Sequence, residues 1–143
     1  MLTVGWREWA SLPSLGIDAI KIKVDTGART SALHAFEVNT FERDGVEWVR
    51  FRIHPLQDNA ELELTCESPV VARRQVSDSG GHREERLVIC TLIEFAGQSR
   101  MIEVTLTDRE SMKFRMLLGR TAMEDISVDP SASFLLGGNR HRP

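Results

Sequence analysis

The chain has few cysteines, no long hydrophobic run and little net charge, and each shortage excludes a class of proteins. Its two cysteines, Cys66 and Cys90, are far apart, and neither belongs to a Cys-x-x-Cys motif. This excludes a disulfide-rich secreted scaffold and favours reduced core thiols in the cytoplasm, although the sequence leaves a single bridge between them open. No apolar run is long enough for a transmembrane helix.

The start of the sequence and its charge also narrow the expected location and partners. Residues 1–14 carry Arg7 and Glu8 among isolated apolar residues, whereas a signal peptide has a basic start and then a continuous apolar run. The formal net charge is -3 and the pI is about 5.8, so no strong attraction to nucleic acid or to an anionic membrane is expected. We therefore expect a cytoplasmic protein that binds neither.

Length and composition predict a single domain. With 143 residues, of which 41% are hydrophobic, the chain can bury one core but not two. Residues 137–143 resemble a frayed, flexible tail, so the domain is expected to span residues 1–136.

Lysine is scarce among the basic residues. Of 18 basic residues three are lysines (Lys21, Lys23 and Lys113), which leaves 15 arginines. Codon bias is one explanation. The other is functional, because the planar guanidinium group binds carboxylates through two parallel hydrogen bonds.

Alternating apolar and polar residues predict a chain made mostly of strands. Ile20, Ile22 and Val24 alternate with lysines and lead directly into Asp25, which is therefore expected at the end of a strand. Further strands are predicted over residues 36–43 and 46–53, around an Asp44-Gly45 hairpin turn, and over residues 61–66, 87–95 and 99–107, with a short helix at 121–125. Because about eight short strands must bury their apolar faces, a closed β-barrel is expected.

Two groups of residues each allow two interpretations. The polar, glycine-rich segment 77–86 is either a mobile hairpin that closes over substrate, with Arg83 and Arg86 meeting acidic side chains, or an ordinary solvated loop. The tryptophans are the second group. Trp6, Trp9 and Trp48 either line a substrate groove or form core or dimer contacts.

An Asp-Thr-Gly sequence, Asp25-Thr26-Gly27, follows the predicted strand directly. Glycine permits a tight turn and the close approach of a second backbone, while the threonine hydroxyl and nearby amides can hold the aspartate carboxylate. Alone, these three residues predict only a turn. A second motif lies downstream, over residues 116–123, and contains Leu118-Gly119-Arg120.

Together the two motifs resemble the retropepsins, aspartic proteases in which an apolar-apolar-Gly segment lies downstream of the catalytic strand. More closely, residues 23–35 (K-V-D-T-G-A-R-T-S-A-L-H-A) and 114–123 (F-R-M-L-L-G-R-T-A-M) are similar to a bacterial family often labelled ATP-dependent zinc protease, which includes the RimB-type retropepsin-like proteases. The resemblance extends from Gly5-Trp6-Arg7-Glu8 to Val128-Asp129-Pro130 and covers nearly the whole chain.

The resemblance implies an all-β, retropepsin-like closed barrel with one short helix, active as a homodimer in which each protomer supplies one catalytic Asp25. Thr26 and Gly27 would shape its turn. A link to the glutamate ligase that modifies a small-subunit ribosomal protein is also implied, and with it a peptide or protein substrate that is acidic or glutamylated. The residues expected to bind substrate are Ala28, Arg29, Arg83, Arg86, Leu118, Gly119 and Arg120.

One position departs from the viral retropepsins. These usually carry an acid four residues after the catalytic aspartate, where this chain has Arg29, so the usual ion pair with Arg120 is lost. Either another acid, such as Glu8 or Asp129, neutralises Arg120, or one of the two arginines faces substrate.

No cofactor is expected, although the family label mentions zinc and ATP. The sequence has no His-Glu-x-x-His motif, and its histidines, His34, His54, His82 and His141, are scattered, as are its cysteines. A glycine-rich loop followed by Lys-Ser or Lys-Thr, which would bind ATP phosphates, is absent as well.

The sequence therefore predicts an aspartic endopeptidase in which two Asp25 carboxyls share one proton and activate a water molecule. Three alternatives stay open. They are a zinc hydrolase assembled from scattered ligands, a non-catalytic β-barrel that binds or regulates the glutamate ligase, and a retropepsin site that cleaves glutamate tails or other isopeptide-like bonds.

Overall fold

Strands make up most of the structure, a computed structural model that describes residues 2–54, 63–77, 80–81, 83–95, 97–108 and 114–136. In chain order the strands are β1 (Leu2–Leu12), β2 (Ile17–Asp25), β3 (Ser31–His34), β4 (Phe36–Arg43), β5 (Val46–Ile53), β6 (Leu64–Pro69), β7 (Ala72–Ser77), β8 (Arg83–Phe95), β9 (Gln98–Thr107), β10 (Met116–Gly119) and β11 (Ile126–Ser133). Short 3₁₀ helices lie at Pro13–Leu15 and Arg120–Met123. The all-β prediction is confirmed, and the second helix lies where a short helix was predicted.

The strands form two sheets. The larger has eight strands in the order β11-β1-β2-β10-β3-β9-β8-β7, and it curves far enough for β1 also to pair with β8 through Ser11 and Glu94. The smaller sheet has the order β4-β5-β6. The closed barrel and the homodimer stay predictions.

The hairpin predicted around Asp44-Gly45 is confirmed as β4 and β5. Asp44 and Gly45 have φ values of 53° and 77°, the left-handed conformation at both central residues that a tight type I′ turn requires. The two long strands β8 and β9 contain the strands predicted at 87–95 and 99–107, although each begins before its predicted start, and they form a second hairpin. The strand predicted at residues 61–66 lies later, as β6, and residues 61 and 62 are outside the described residues.

Alternate residues of the strands point into one core that both sheets share. In β5, Val49, Phe51 and Ile53 are buried while Arg50 and Arg52 between them are exposed, which is the period of two that a sheet with one solvated face requires. The buried cluster joins these residues to apolar side chains of β1, β2, β8, β9 and β10. Burying each such side chain stabilises the fold by about 1.5–3 kcal/mol.

The two cysteines are free thiols in different environments. Cys66 is buried in the core, and burial raises the pKa of its thiol to about 11. Cys90 is exposed on β8. The prediction of reduced core thiols is thus correct for Cys66 and wrong for Cys90, because successive residues of β8 alternate between the core and solvent.

The first and last strands lie side by side. β1 and β11 run parallel, from Leu2 opposite Ile126 to Arg7 opposite Ser133. Glu8 of β1 is completely buried, and its carboxylate accepts hydrogen bonds from the backbone amides of Gly5 (2.7 Å), Leu135 (2.9 Å) and Leu136 (3.2 Å). This buried carboxylate therefore joins the start of β1 to the segment after β11.

Two tryptophans of β1 pack against aromatic side chains that lie just before β10 and just after β11. Trp9 is buried and stacks on Phe134, with ring centroids 6.4 Å apart, and Trp6 meets the buried Phe114 edge-on at 5.7 Å. These contacts favour the core interpretation for both. Trp48 lies on the small sheet, where the Arg43 guanidinium stacks on its ring at 4.4 Å.

Within the ranges given above, no helix has the length and apolar character needed to cross a membrane.

Candidate active site

Asp25 is the last residue of β2, and its half-buried side chain is held by the turn that follows. Its Oδ1 accepts a hydrogen bond from the Gly27 amide at 3.1 Å, and its carbonyl oxygen accepts one from the Ala28 amide at 3.1 Å. A Cβ at residue 27 would lie 3.3 Å from Asp25 Oδ1, a tight contact with the carboxylate. The turn thus fixes the carboxyl, and glycine leaves room beside it.

The second motif reaches this turn through β10, which lies between β2 and β3. β10 runs parallel to β2, so that Gly119 is opposite Asp25, and antiparallel to β3, so that Met116 is opposite Leu33. Inserting one short strand between two others brings together two motifs that are about 90 residues apart in sequence. The sequence predicted that both motifs contribute to one site, and this strand order is the physical reason that they lie side by side.

Gly119 fits tightly against the loop that follows Asp25 (residues 26–30, the Asp25 loop). A Cβ on Gly119 would lie 2.6 Å from the carbonyl carbon of Thr30 and 2.9 Å from the carbonyl oxygen of Arg29. Its φ of -81° is open to any residue, so the position needs glycine for space and not for backbone conformation. The Gly119 amide donates to Ser31 Oγ at 3.0 Å, which fixes the loop from its other end.

The residues after Gly119 complete the attachment of this loop. The Arg120 amide donates to the Ala28 carbonyl at 2.8 Å, and Thr121 Oγ1 donates to the Arg29 carbonyl at 2.8 Å. Sequence reasoning missed Ser31 and Thr121 as positioning residues. Each is a hydroxyl residue inside one of the two motifs, and that was the available signal.

Neither acid proposed as a partner of Arg120 pairs with it. The Glu8 carboxylate accepts hydrogen bonds from backbone amides of β1 and of the segment after β11. Asp129 accepts hydrogen bonds from the Ser131 hydroxyl and amide, and these bonds lower the pKa of Asp129 below its ordinary value. Arg120 is exposed and donates to the Gly27 carbonyl at 3.3 Å. In the described part of the chain Arg29 and Arg120 form no ion pair, and the alternative in which an arginine faces substrate stays a prediction.

The described residues of the segment 77–86, which was open to two interpretations in the sequence, belong to the hairpin of β7 and β8. Ser77 pairs with Arg83 and Arg74 with Arg86, while residues 78, 79 and 82 lie outside the described residues. Arg86 pairs with Glu84 at 3.2 Å and its side chain is only 13% exposed, whereas Arg83 is exposed. The structure places both arginines on this hairpin and not on the Asp25 loop.

A cleft of about 410 Å³ lies between the Asp25 loop and β9, with Arg74 of β7 beside it, and its volume is within the size range of ligand sites. Of the seven predicted substrate-binding residues, Arg29 lines the cleft and the other six do not. Arg74, which bridges the two walls, was not among the predicted substrate-binding residues. The lining residues are Arg29, Thr30, Arg74, Met101, Ile102, Glu103 and Thr121.

The structure also bears on a metal site. Among the residues that it describes, no three His, Cys, Asp or Glu side chains lie together in a group that could hold a metal ion. His82 and His141 are outside the described residues.

Comparison with known proteins gives one family. The family model described as RimB-like, retropepsin-like aspartic endopeptidase RimB, matches residues 3–137. Among solved structures, a Legionella pneumophila protein of unknown function superimposes with a TM-score of 0.79 at 27% sequence identity, covering 94% of this chain and 98% of that protein.

Curated relatives carry a different name. Proteins named probable alpha-L-glutamate ligase are 49% identical in Shewanella pealeana, over 94% of this chain, and 46% identical in Parasynechococcus marenigrum, over 97% of it. The match covers 30% of each relative. The chain therefore spans less than a third of the length of these relatives.

Proposed function

The chain belongs to the RimB-like family of retropepsin-like aspartic endopeptidases, and on this basis we propose that it is an aspartic endopeptidase-type hydrolase that cleaves acidic or glutamylated peptides and works as a homodimer in the cytoplasm. The observation that carries the proposal is the Asp25 carboxyl on a turn braced by Gly119. A carboxyl fixed at the end of a strand, with one edge open, suits a group that must hold a water molecule and exchange a proton with it.

The proposed mechanism needs two chains. The sequence has one Asp-Thr-Gly motif, so the acid and the base must come from Asp25 of each protomer. Thr26 and Gly27 are exposed in the single protomer, which leaves their surfaces open to a second chain. We propose that two such turns meet across a two-fold axis, and that the strands of each protomer form a closed barrel.

At the proposed site the two Asp25 carboxyls share one proton, because two negative charges a few ångströms apart repel each other. The ionised carboxyl takes a proton from water as the water oxygen bonds to the amide carbon. The protonated carboxyl donates its proton to the carbonyl oxygen. As the resulting tetrahedral intermediate collapses and its C–N bond breaks, the leaving nitrogen takes the proton that the first carboxyl accepted from water. One hydroxyl of the intermediate returns its proton to the second carboxylate and becomes the new carbonyl, which restores the pair.

The link to glutamylation is proposed from two observations. The curated relatives that contain this module are named probable alpha-L-glutamate ligase. Arg29 on the Asp25 loop and Arg120, which contacts this loop through the Gly27 carbonyl, have no acidic partner among the described residues. Arginines of this kind suit carboxylate-rich substrates. The proposed substrate is therefore a glutamylated ribosomal protein, and the bond cleaved is either a main-chain or an isopeptide-like amide. In the same proposal Ala28, Leu118, Gly119 and the hairpin residues Arg83 and Arg86 border the substrate.

A second candidate function is a non-catalytic module that binds or regulates a glutamate ligase. The ligase names of its relatives favour it as much as they favour a protease. The two functions differ in what a carboxyl at residue 25 is needed for, since binding needs no proton transfer.

Cleavage is tested by incubating the purified protein with glutamylated ribosomal protein and, as a matched control, with the unmodified protein. We expect intact-mass spectrometry to show loss of glutamate residues from the first and no change in the second. If both stay intact while the protein binds the glutamate ligase, the binding module replaces the hydrolase. Cleavage of both proteins at ordinary peptide bonds would instead make the protein a general protease.

We predict that activity does not depend on zinc. The motivation is the scattered placement of histidines and cysteines, which lacks the close ligand spacing of zinc sites. Metal analysis of the purified protein should give far less than one zinc per protomer, and cleavage should persist in a chelator. One tightly bound zinc per protomer, with activity lost on its removal and regained on its return, would overturn this prediction.

A further inference from the structure

Arg74 joins the two walls of the cleft that lies beside the Asp25 loop. Its Nη2 pairs with Glu103 Oε1 at 2.5 Å, and its Nη1 donates to Thr30 Oγ1 at 3.4 Å. Arg74 belongs to β7, Glu103 to β9 and Thr30 to the loop after Asp25. A single guanidinium group therefore connects the β7–β8 hairpin with the loop that carries the proposed catalytic residue.

The charges that line the cleft do not cancel. Arg29 and Arg74 contribute two positive charges and Glu103 one negative charge, so one positive charge is left over. Arg29 has no ion pair in the described ranges. A guanidinium has five N–H donors, and Arg74 uses two of its nitrogens on the partners named above. The cleft thus offers unused, permanently charged donors to one more carboxylate.

The cleft also has an apolar wall. Met101 is 64% exposed, although large apolar side chains are usually buried, and it borders the cleft next to Ile102. A glutamate side chain has two methylene groups before its carboxylate. The methylenes can contact Met101 while the carboxylate reaches the arginines.

We propose that Arg74 is a specificity-determining residue that binds an acidic side chain of the substrate, and that Glu103 competes with the substrate for it. This inference rests on the proposed function, and it names the residues that give the proposed hydrolase its preference for acidic substrates. In the free protein Glu103 occupies one edge of the Arg74 guanidinium. The substrate carboxylate neutralises the remaining positive charge of Arg29 and Arg74, and it weakens the ion pair between Arg74 and Glu103.

The test measures peptide binding in the Asp25→Asn background, where cleavage does not interfere. The probes are a fluorescently labelled oligoglutamate peptide and its oligoglutamine counterpart, read by anisotropy. Arg74→Gln should weaken oligoglutamate binding about tenfold, the effect of losing one charge-assisted hydrogen bond. It should leave the weaker oligoglutamine binding unchanged. Arg74→Lys, which keeps the charge but loses the planar fork, should lie between.

Arg73→Gln is the matched control. Arg73 is the neighbouring residue of β7, its side chain is 44% exposed compared with 41% for Arg74, and it pairs with Glu47 and Glu85 outside the cleft. The Arg73→Gln substitution removes one positive charge from β7, as Arg74→Gln does, and should change oligoglutamate binding less than twofold. Equal effects of Arg73→Gln and Arg74→Gln would reduce the preference to net charge and overturn the inference.

Glu103→Gln tests the competition. Removing the competing charge should tighten oligoglutamate binding about threefold, since an ion pair between exposed side chains is weak. Weaker binding would show that Glu103 only orients Arg74, and would overturn the competition. Thermal unfolding of each variant checks that the exposed substitutions leave the fold intact.

Failure of this inference differs from failure of the proposed function. If the wild-type protein cleaves nothing but Arg74-dependent binding of oligoglutamate is present, the acidic site stands and the hydrolase does not. If the wild-type protein cleaves acidic and neutral peptides equally well and Arg74→Gln changes neither, the hydrolase stands and the specificity residue does not.

Discussion

Replacing Asp25 by asparagine is expected to stop hydrolysis and to leave the fold intact. The amide is nearly the same size as the carboxyl, and its oxygen can still accept the hydrogen bond from the Gly27 amide. An amide cannot take a proton from water, however, and a dimer of two mutant chains has no carboxyl at the centre of its proposed site. General acid and base groups contribute about 10²-fold to 10⁴-fold to a rate, so cleavage should fall by at least about a hundredfold.

A matched control for this substitution lies on the same strand. Asp18→Asn removes the same charge from β2, but Asp18 is exposed at the far end of the strand, and its variant should cleave at the wild-type rate. Circular dichroism and sedimentation should show the same fold and the same oligomeric state for both variants. A dimeric Asp25→Asn variant that keeps most of its activity would mean that the protein is not an aspartic protease.

Mixed dimers sharpen the same experiment. A dimer of one wild-type and one Asp25→Asn chain has a single carboxyl where the mechanism needs one ionised and one protonated group. Activity in a titration of wild-type with mutant chains should therefore follow the fraction of purely wild-type dimers. A linear decrease with the wild-type fraction would indicate that each chain works alone.

The second large effect is expected from Gly119→Ala. The added methyl group would lie less than 3 Å from three backbone atoms of Arg29 and Thr30. Backbone atoms cannot rotate away as the end of a flexible side chain can, so the loop itself must move. Overpacking of this kind costs about 1–3 kcal/mol in the free energy of unfolding. It should also displace the Asp25 turn, so that cleavage is lost even at temperatures where the variant is folded.

Gly97→Ala separates this steric effect from the general cost of replacing a glycine. Gly97 has a φ of 70° with open space around its Cβ position, and it lies in the β8–β9 turn, away from both motifs. Its variant should lose about 1–2 kcal/mol of stability through backbone strain and keep its specific activity when folded. If Gly119→Ala is as active as Gly97→Ala at matched folded fractions, the close contact of Gly119 with the loop is not needed for catalysis.

The sequence predicted well those parts whose local chemistry is distinctive. The Asp44-Gly45 turn and the alternating strand before Asp25 are local signals, and each lies in the predicted element. The two motifs are short and recognisable, and the structure brings them together, while the catalytic role of Asp25 stays a prediction.

Edge strands were missed for a physical reason. β7 and β11 lie at the two edges of the large sheet, where a strand need not alternate and polar residues or proline are tolerated. Pro130 in β11 and the Arg73-Arg74 pair in β7 indicate a turn or a loop when the sequence is considered alone. Arg74 was not predicted as a cleft residue because its partner Glu103 lies 29 residues away in the sequence, and only the strand order brings the two together.

The parallel pairing of β1 with β11 has a mechanical consequence for a domain that occurs within longer relatives. A pull on residues before Leu2 and after Leu136 acts along the two strands in opposite directions. The ladder from Leu2–Ile126 to Arg7–Ser133, together with the amide bonds to Glu8, then carries the load all at once in shear. Antiparallel terminal strands would instead open one bond at a time from the end. The outermost elements of this domain therefore resist stretching better than their position at the chain ends suggests.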